Sequence, residues 1–112
     1  MASWRTTVRL GGRVERDGHA TLADALDAME RRLDELAGQT DRRGERVLGR
    51  EFPAAAVVAA RGEVAGPGRR RGGVDLHADR SATPWTGRFQ RRAVEPRPGE
   101  TAYEALARVL GG

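Results

Sequence analysis

The chain has 112 residues, no cysteine, a formal net charge of +4 and an isoelectric point near 11.1. This length predicts one domain with a modest core, and the lack of cysteine excludes disulfide bonds and thiolate metal sites. No apolar run approaches the roughly 20 residues that span a bilayer, and Met1–Arg5 lacks the pattern of a signal peptide. We therefore expect a cytoplasmic protein without membrane attachment.

The basic residues are informative by their position rather than by their number. All 20 of them are arginine, and the chain has no lysine, isoleucine or asparagine, whose codons are rich in A and T. A bacterial genome rich in G and C accounts for this bias. Arginine also keeps its proton to higher pH than lysine, which raises the isoelectric point without any functional cause.

The chain begins with a predicted strand. Trp4–Leu10 alternates with the period of a half-buried strand, and its inward residues are Trp4, Thr6, Val8 and Leu10. Gly11-Gly12 can form a tight turn, so that Arg13–Arg16 is either a short return strand or a lead into the next helix. We favour an irregular continuation that Asp17-Gly18 turns into that helix.

Thr21–Ala37 is the most strongly patterned segment and predicts an amphipathic helix. Its apolar residues recur every three or four positions, at Leu22, Ala25, Leu26, Met29, Leu33, Leu36 and Ala37. Thr21 can accept a hydrogen bond from the backbone N–H of Asp24, as in a capping box. Gly38 is expected to end the helix, because a residue without Cβ adopts positive φ at no steric cost.

The middle of the chain predicts a loop followed by a strand. Gln39–Arg50 is polar and aperiodic, which is typical of a loop. Ala54–Val64 is rich in alanine and valine and predicts a strand, because it lacks a helical stripe. We expect Ala56, Val58, Ala60 and Val64 to face the helix, and Val57, Arg61 and Glu63 to face away.

The remaining segments predict two more strands and a second helix. Gly66–Gly73 has the composition of a hairpin loop, Val74–Asp79 alternates, and Ser81–Pro84 suits a turn. Trp85–Val94 is a predicted strand, with Trp85, Gly87 and Phe89 facing inward and Thr86, Arg88, Gln90 and Arg92 facing outward. A helix follows from Glu100, with a stripe of Ala102, Tyr103, Leu106, Val109 and Leu110.

These elements predict an α+β fold, a two-layer sandwich in the order β-α-β-β-β-α. The sheet is mainly antiparallel and both helices cover one of its faces. This order is similar to that of ribosome hibernation factors and, without its first strand, to that of double-stranded-RNA-binding domains. The resemblance lies in the element order and assigns a role to no individual residue.

The arginine-rich hairpin is the strongest candidate site. Between Arg61 and Arg97 nine arginines stand against four acids, a net charge of +5, whereas Thr21–Ala37 has five acids and two arginines, a net charge of −3. Glycines let a backbone approach phosphate closely, and arginine binds phosphate bidentately. We predict a non-enzymatic module that contacts a polyanion such as RNA or a ribonucleoprotein, through Arg69, Arg70, Arg71, Arg88 and Arg92. The alternative for this loop is a solvated surface in an arginine-biased composition.

Other candidates favour structural roles. Asp75, His77 and Asp79 could hold a divalent cation, but three groups along one strand are too far apart for one ion, and cross-strand ion pairs explain them better. No nucleophile elbow or nucleotide-binding loop occurs, so we expect no enzymatic activity, cofactor or metal. Trp4 and Trp85 are expected in the core rather than on a base-stacking surface. The alternative function is a homo-oligomeric or protein-binding accessory protein that associates through the open sheet face around Val57.

Overall fold

The computed structural model describes the backbone of residues 3–47 and 58–111 and the side chains of residues 3–38 and 58–111. Within these residues the chain forms six strands and two helices. In chain order they are β1 (Trp4–Leu10), β2 (Arg13–His19), α1 (Leu22–Val47), β3 (Val58–Ala65), β4 (Arg71–His77), β5 (Ala82–Thr86), β6 (Arg92–Ala93) and α2 (Ala102–Gly111). A short 3-10 turn, Pro67–Arg69, joins β3 to β4.

The strands form one antiparallel sheet in the order β2-β1-β3-β4-β5-β6. Helix α1 packs on β1 and β3, α2 packs on β4 and β5, and the two helices contact each other. The predicted α+β fold, with two helices over a mainly antiparallel sheet, is therefore confirmed. The other face of the sheet carries no helix among the described elements, and we call it the open face.

The apolar stripe of α1 forms the centre of the core, as predicted. Met29, Leu33 and Leu36 are at most 1% exposed, and they pack with inward residues of the sheet and with α2. The backbone N–H of Asp24 donates to Thr21 Oγ1 at 3.1 Å, which confirms the cap. None of the described helices is long and apolar enough to cross a bilayer.

The predicted end of α1 at Gly38 is wrong, because the helix continues to Val47. Glycine permits a left-handed residue but does not impose one, and in a helix interior it costs only about 1 kcal/mol relative to alanine. The expected loop Gln39–Arg50 is therefore helical as far as Val47, and its last residues lie outside the described part.

The strand Trp4–Leu10 is confirmed, whereas the irregular continuation after it is wrong. Arg13–His19 is a full strand paired with β1, from Leu10 opposite Arg13 to Trp4 opposite His19. The sequence of β2 is polar and lacks the hydrophobic alternation of a half-buried strand, because β2 is an edge strand and mostly exposed. Glu15 on its inward side binds Arg32 of α1 through both carboxylate oxygens at 2.8–3.2 Å, and this pair holds the edge to the helix.

The described part of β3 starts at Val58, and this valine does not face the helix. Its register with β4 shifts between Val58 and Ala60, where a bulge reverses the side-chain phase. Val58 consequently pairs with His77 on the open face and is 42% exposed. Ala60 and Val64 face the helix and Arg61 faces away, as expected, whereas Ala54–Val57 lies outside the described residues.

The predicted strand Trp85–Val94 is wrong in its bounds and in its side-chain phase. Pro84 belongs to β5, pairs with Val74 and is buried on the helix side, so that Trp85 points to the open face. Phe89 lies in a bend after β5 and is 90% exposed. The carbonyl of Pro84 accepts a hydrogen bond from Val94 N at 2.9 Å, but proline has no N–H to donate in return. The pairing ends there, and β6 is only two residues long.

Candidate functional site

One end of the sheet gathers the arginines that the sequence analysis singled out. Strand β1 begins there, since Arg5 pairs with Ala65 at the end of β3. Strand β4 also begins there, at Arg71, and β5 ends there, where Thr86 pairs with Gly72. The turn of residues 66–70 and the loop of residues 87–91 close this end. Its described arginines, which we call the basic end, are Arg5, Arg69, Arg70, Arg71, Arg88, Arg91 and Arg92.

Arg69 and Arg70 extend from the turn into solvent. The turn is held by its own backbone, since Gly66 N donates to Arg70 O at 2.9 Å. Arg69 has a φ of 66°, a left-handed conformation that costs a residue with Cβ about 1 kcal/mol relative to glycine. Within the described part of the chain, neither guanidinium has a carboxylate partner. Both are therefore available to an external anion.

Arg71 begins β4 rather than standing on the loop tip, and it lies beside a buried carboxylate. Glu63 is 8% exposed. Among the described side chains, three arginines lie within 4 Å of its oxygens: Arg91 at 3.5 Å, Arg71 at 3.7 Å and Arg9 at 3.9 Å. Their joint charge exceeds that of the carboxylate, so this part of the open face keeps positive charge.

Trp85 lies on the open face next to this cluster. Its indole N–H donates to Asp75 Oδ1 at 3.1 Å, and one guanidinium, that of Arg91, lies 4.5 Å from the ring centroid. The ring packs directly on Gly73, where a Cβ would collide with it. The side chain is only 4% exposed because glycine leaves room beneath it and arginine covers it.

Asp75 also pairs with Arg61 of β3, at 2.6 Å and 3.1 Å. The hydrogen bond from Arg61 to this carboxylate raises the pKa of Arg61 above its usual value. The guanidinium, like that of any arginine, is charged at physiological pH, and the ion pair stabilises this form. The cross-strand ion pair that the sequence analysis favoured for Asp75 is present.

His77 and Asp79 do not join Asp75 in one site. His77 Nε2 lies 2.8 Å from Thr83 Oγ1, and Asp79 lies in the turn after β4. There Asp79 accepts hydrogen bonds from the backbone N–H and the hydroxyl of Ser81, which lower its pKa. Among the described residues, no group of histidines and carboxylates is arranged to hold a metal ion.

The loop after β5 carries Arg88, and β6 carries Arg92. Gly87 has a φ of 112°, and a Cβ there would collide with the carbonyl of Gln90, so this tight turn requires glycine. Gly87 N donates to Arg71 O at 3.0 Å, which joins the loop to the start of β4. Arg92 pairs with Thr86 and so belongs to the helix side of the sheet rather than to the open face. The structure brings the five predicted arginines to one end but distributes them over two faces.

The open face next to the basic end holds a shallow depression of about 410 Å³. Its lining combines three cations with two acids and with small or polar residues of β1, β2 and β3; the charged members are Arg5, Arg16, Arg71, Asp17 and Glu63. Arg5 and Arg16 were not singled out from the sequence, where they stand in isolated alternating segments. Pairing of β2 with β1 is what brings Arg16 to this surface, opposite Thr7.

The opposite layer is acidic. Burial raises the pKa of Glu30 on α1, and the neighbouring carboxylates of Asp34, Asp27 and Glu104 raise it further. Burial, together with Asp34 and Glu30, also raises the pKa of Tyr103 on α2. The molecule thus has an acidic helix layer and a basic sheet end, so that an anionic partner is attracted to one side and repelled from the other.

Comparison of the chain with protein-family models, with curated proteins and with solved structures gave no match.

Proposed function

We propose that the protein is a non-enzymatic binding module and that its basic end binds a polyanion, in the first place RNA. The observation that carries this proposal is the convergence of arginines from four separate segments on one end of the sheet. Five of these arginines have no carboxylate partner within the described residues, namely Arg5, Arg69, Arg70, Arg88 and Arg92. Their positive charge is therefore not neutralised by an internal ion pair. Guanidinium groups bind phosphate oxygens bidentately.

The conformation of Arg69 adds a second argument. At a φ of 66° a glycine would fit without strain, and Gly68 beside it already adopts this conformation. An arginine that keeps a left-handed φ, is exposed and has no carboxylate partner among the described residues contributes little to folding. Strained residues of this kind concentrate at functional sites. Their charge is what a polyanion would recognise.

The test removes charge from the turn without damaging the fold. Arg69→Gly combined with Arg70→Ser takes away two charges and relieves the strain at position 69. A matched control, Arg13→Ser combined with Arg31→Ala, removes two exposed charges from outside the basic end. Both variants and the parent protein are run on heparin and titrated with a fluorescent single-stranded RNA at several salt concentrations.

We expect the turn variant to bind more weakly and to depend less on salt. For two lost phosphate contacts the slope of log K against log salt falls by about 1.4 for a single strand. The control variant should keep the parent slope. Equal slopes for all three proteins would remove the turn from the binding surface, and failure of the parent protein to bind either polyanion would refute the proposed function.

Self-association is the competing function. Val57, around which it was expected on the open face, lies outside the described residues, and the exposed edge strand β2 is the other surface at which a second copy would pair. Full two-fold overlap of β2 with a second copy would place Arg16 opposite Arg16 and Glu15 opposite Asp17. Like charges directly opposite each other destabilise strand pairing. We therefore expect a monomer in a sizing experiment, and a compact salt-insensitive dimer would favour the accessory-protein function instead.

A further inference from the structure

Phe89 is an exposed aromatic residue at the tip of the loop of residues 87–91. Its exposed fraction is 90%, whereas the other large exposed apolar side chains in the described part, those of Val14, Val58 and Val109, are 39–42% exposed. An aromatic ring that is almost fully in water loses the stabilisation that burial would provide. It contributes nothing to the core and is open to a ligand.

The loop that carries Phe89 is fixed at both ends. Gly87 N is bonded to Arg71 O, and Val94 N is bonded to Pro84 O on the other side of the loop. Within the loop, Arg91 rests on the Trp85 ring at 4.5 Å and lies 3.5 Å from Glu63. Phe89 is thus displayed by a backbone that is already ordered, which lowers the entropy lost when a ligand binds.

The surroundings of Phe89 are basic. Arg88 lies 5.4 Å from its ring centroid, and Arg91 and Arg92 follow it in the chain. The turn that carries Arg69 and Arg70 belongs to the same end of the sheet. A ligand that contacts Phe89 therefore meets several guanidinium groups as well. Charge complementarity favours an anion, and the exposed ring favours an anion that also has a flat apolar surface.

We infer that Phe89 stacks on an unpaired base of a single-stranded nucleic acid whose phosphates are bound by the basic end. This inference rests on the proposed function and specifies its ligand. Base stacking on aromatic side chains, combined with a basic surface along the backbone, is how proteins bind single strands without strong sequence preference. A duplex hides its base faces, and heparin has no aromatic ring, so neither ligand can use Phe89 in this way.

The test compares three anionic probes and four proteins. The probes are a fluorescent oligouridylate, a blunt RNA duplex of the same length, and heparin. The proteins are the parent chain, Phe89→Ala, Phe89→Tyr, which keeps an aromatic ring, and Val109→Ala, which truncates an exposed apolar residue on α2. Affinities are measured at constant salt, and the melting temperature of each variant checks its fold.

We expect Phe89→Ala to weaken oligouridylate binding about tenfold, which corresponds to the loss of one stacked base. Its affinity for duplex and heparin should stay within twofold of the parent value, and Phe89→Tyr and Val109→Ala should bind like the parent. If Phe89→Ala binds oligouridylate as the parent does while the parent binds all three probes, this inference is overturned and the proposed function stands. If no probe binds the parent protein, both fail.

A membrane surface is the other partner that an exposed phenylalanine among arginines could meet. Sedimentation with vesicles of phosphatidylserine and phosphatidylcholine provides that comparison. Phe89-dependent binding to these vesicles, without a preference for single strands over duplex, would overturn the inference in favour of lipid contact.

Discussion

Arg91 provides the sharpest test of how the open face is built, because a single guanidinium covers Trp85 and faces Glu63. Arg91→Ala removes a cation–π contact worth about 0.5–1 kcal/mol at an exposed site. It also removes one partly exposed ion pair, which contributes up to about 0.5 kcal/mol. Together these losses amount to about 1 kcal/mol, and for a domain of this size they lower the melting temperature by about 4–6 °C.

Two measurements check this prediction. Thermal unfolding followed by circular dichroism gives the change in stability, and tryptophan emission should shift to longer wavelength because the Trp85 ring becomes hydrated. Trp4 is 6% exposed in the core and should not change. Arg88→Ala is the matched control, since its guanidinium contacts only the exposed ring of Phe89 among the described residues. An unshifted emission spectrum and an unchanged melting temperature for Arg91→Ala would show that the loop does not cover Trp85.

Three further substitutions test other parts of the structure. Glu63→Gln should lower stability by about 1–3 kcal/mol, because three partly exposed guanidinium groups lose the buried carboxylate that neutralises them. The variant should nevertheless elute from heparin at higher salt than the parent protein. Gly73→Ala should destabilise by about 1–3 kcal/mol and perturb tryptophan fluorescence, since the new Cβ collides with the Trp85 ring and with the carbonyl of Gly62. Glu30→Gln should raise the melting temperature at neutral pH, because the raised pKa means that the ionised carboxylate opposes folding there. This gain should vanish in melts below pH 4.5, the ordinary pKa of glutamate, where the carboxyl is protonated in both states.

The elements with a strong hydrophobic period were predictable. Trp4–Leu10 and the stripe of α1 bury the residues that their spacing predicts, since each period leaves only one way to hide its apolar side chains. The Thr21 cap followed from local hydrogen bonding alone. These features depend on neighbours within a few residues, which is information that a single sequence contains.

The features that were missed depend on pairing across the sheet. Trp85 is apolar and was assigned to the core, but Pro84 occupies the inward position and Asp75 accepts the indole N–H on the other face. Strand β2 is polar because it is an edge, so that only its partner identifies it as a strand. The phase of Val58 was reversed by a bulge, which has no clear signature in this alanine-rich stretch.

The candidate site was predicted in part for the same reason. A run of adjacent arginines, such as Arg69–Arg71, is visible in any sequence. Arg5 reaches the basic end, and Arg16 the depression beside it, only through strand register. Arg91 differs from its neighbour Arg92 in the Trp85 ring that it covers and in its ion pair with Glu63. Local composition therefore indicated a basic surface, and the pairing of the strands determines which side chains lie on it.

The most direct test of the proposed binding surface is residue-resolved mapping of the contact. The ¹⁵N-labelled protein is titrated with a short oligouridylate, and changes in backbone amide shifts are followed by NMR. We predict that the changes concentrate on the turn of residues 66–70, the loop of residues 87–91 and the first residues of β1 and β4, and that α2 and the described outer face of α1 stay unchanged. Changes centred on the helices, or on edge strand β2 alone, would contradict the account.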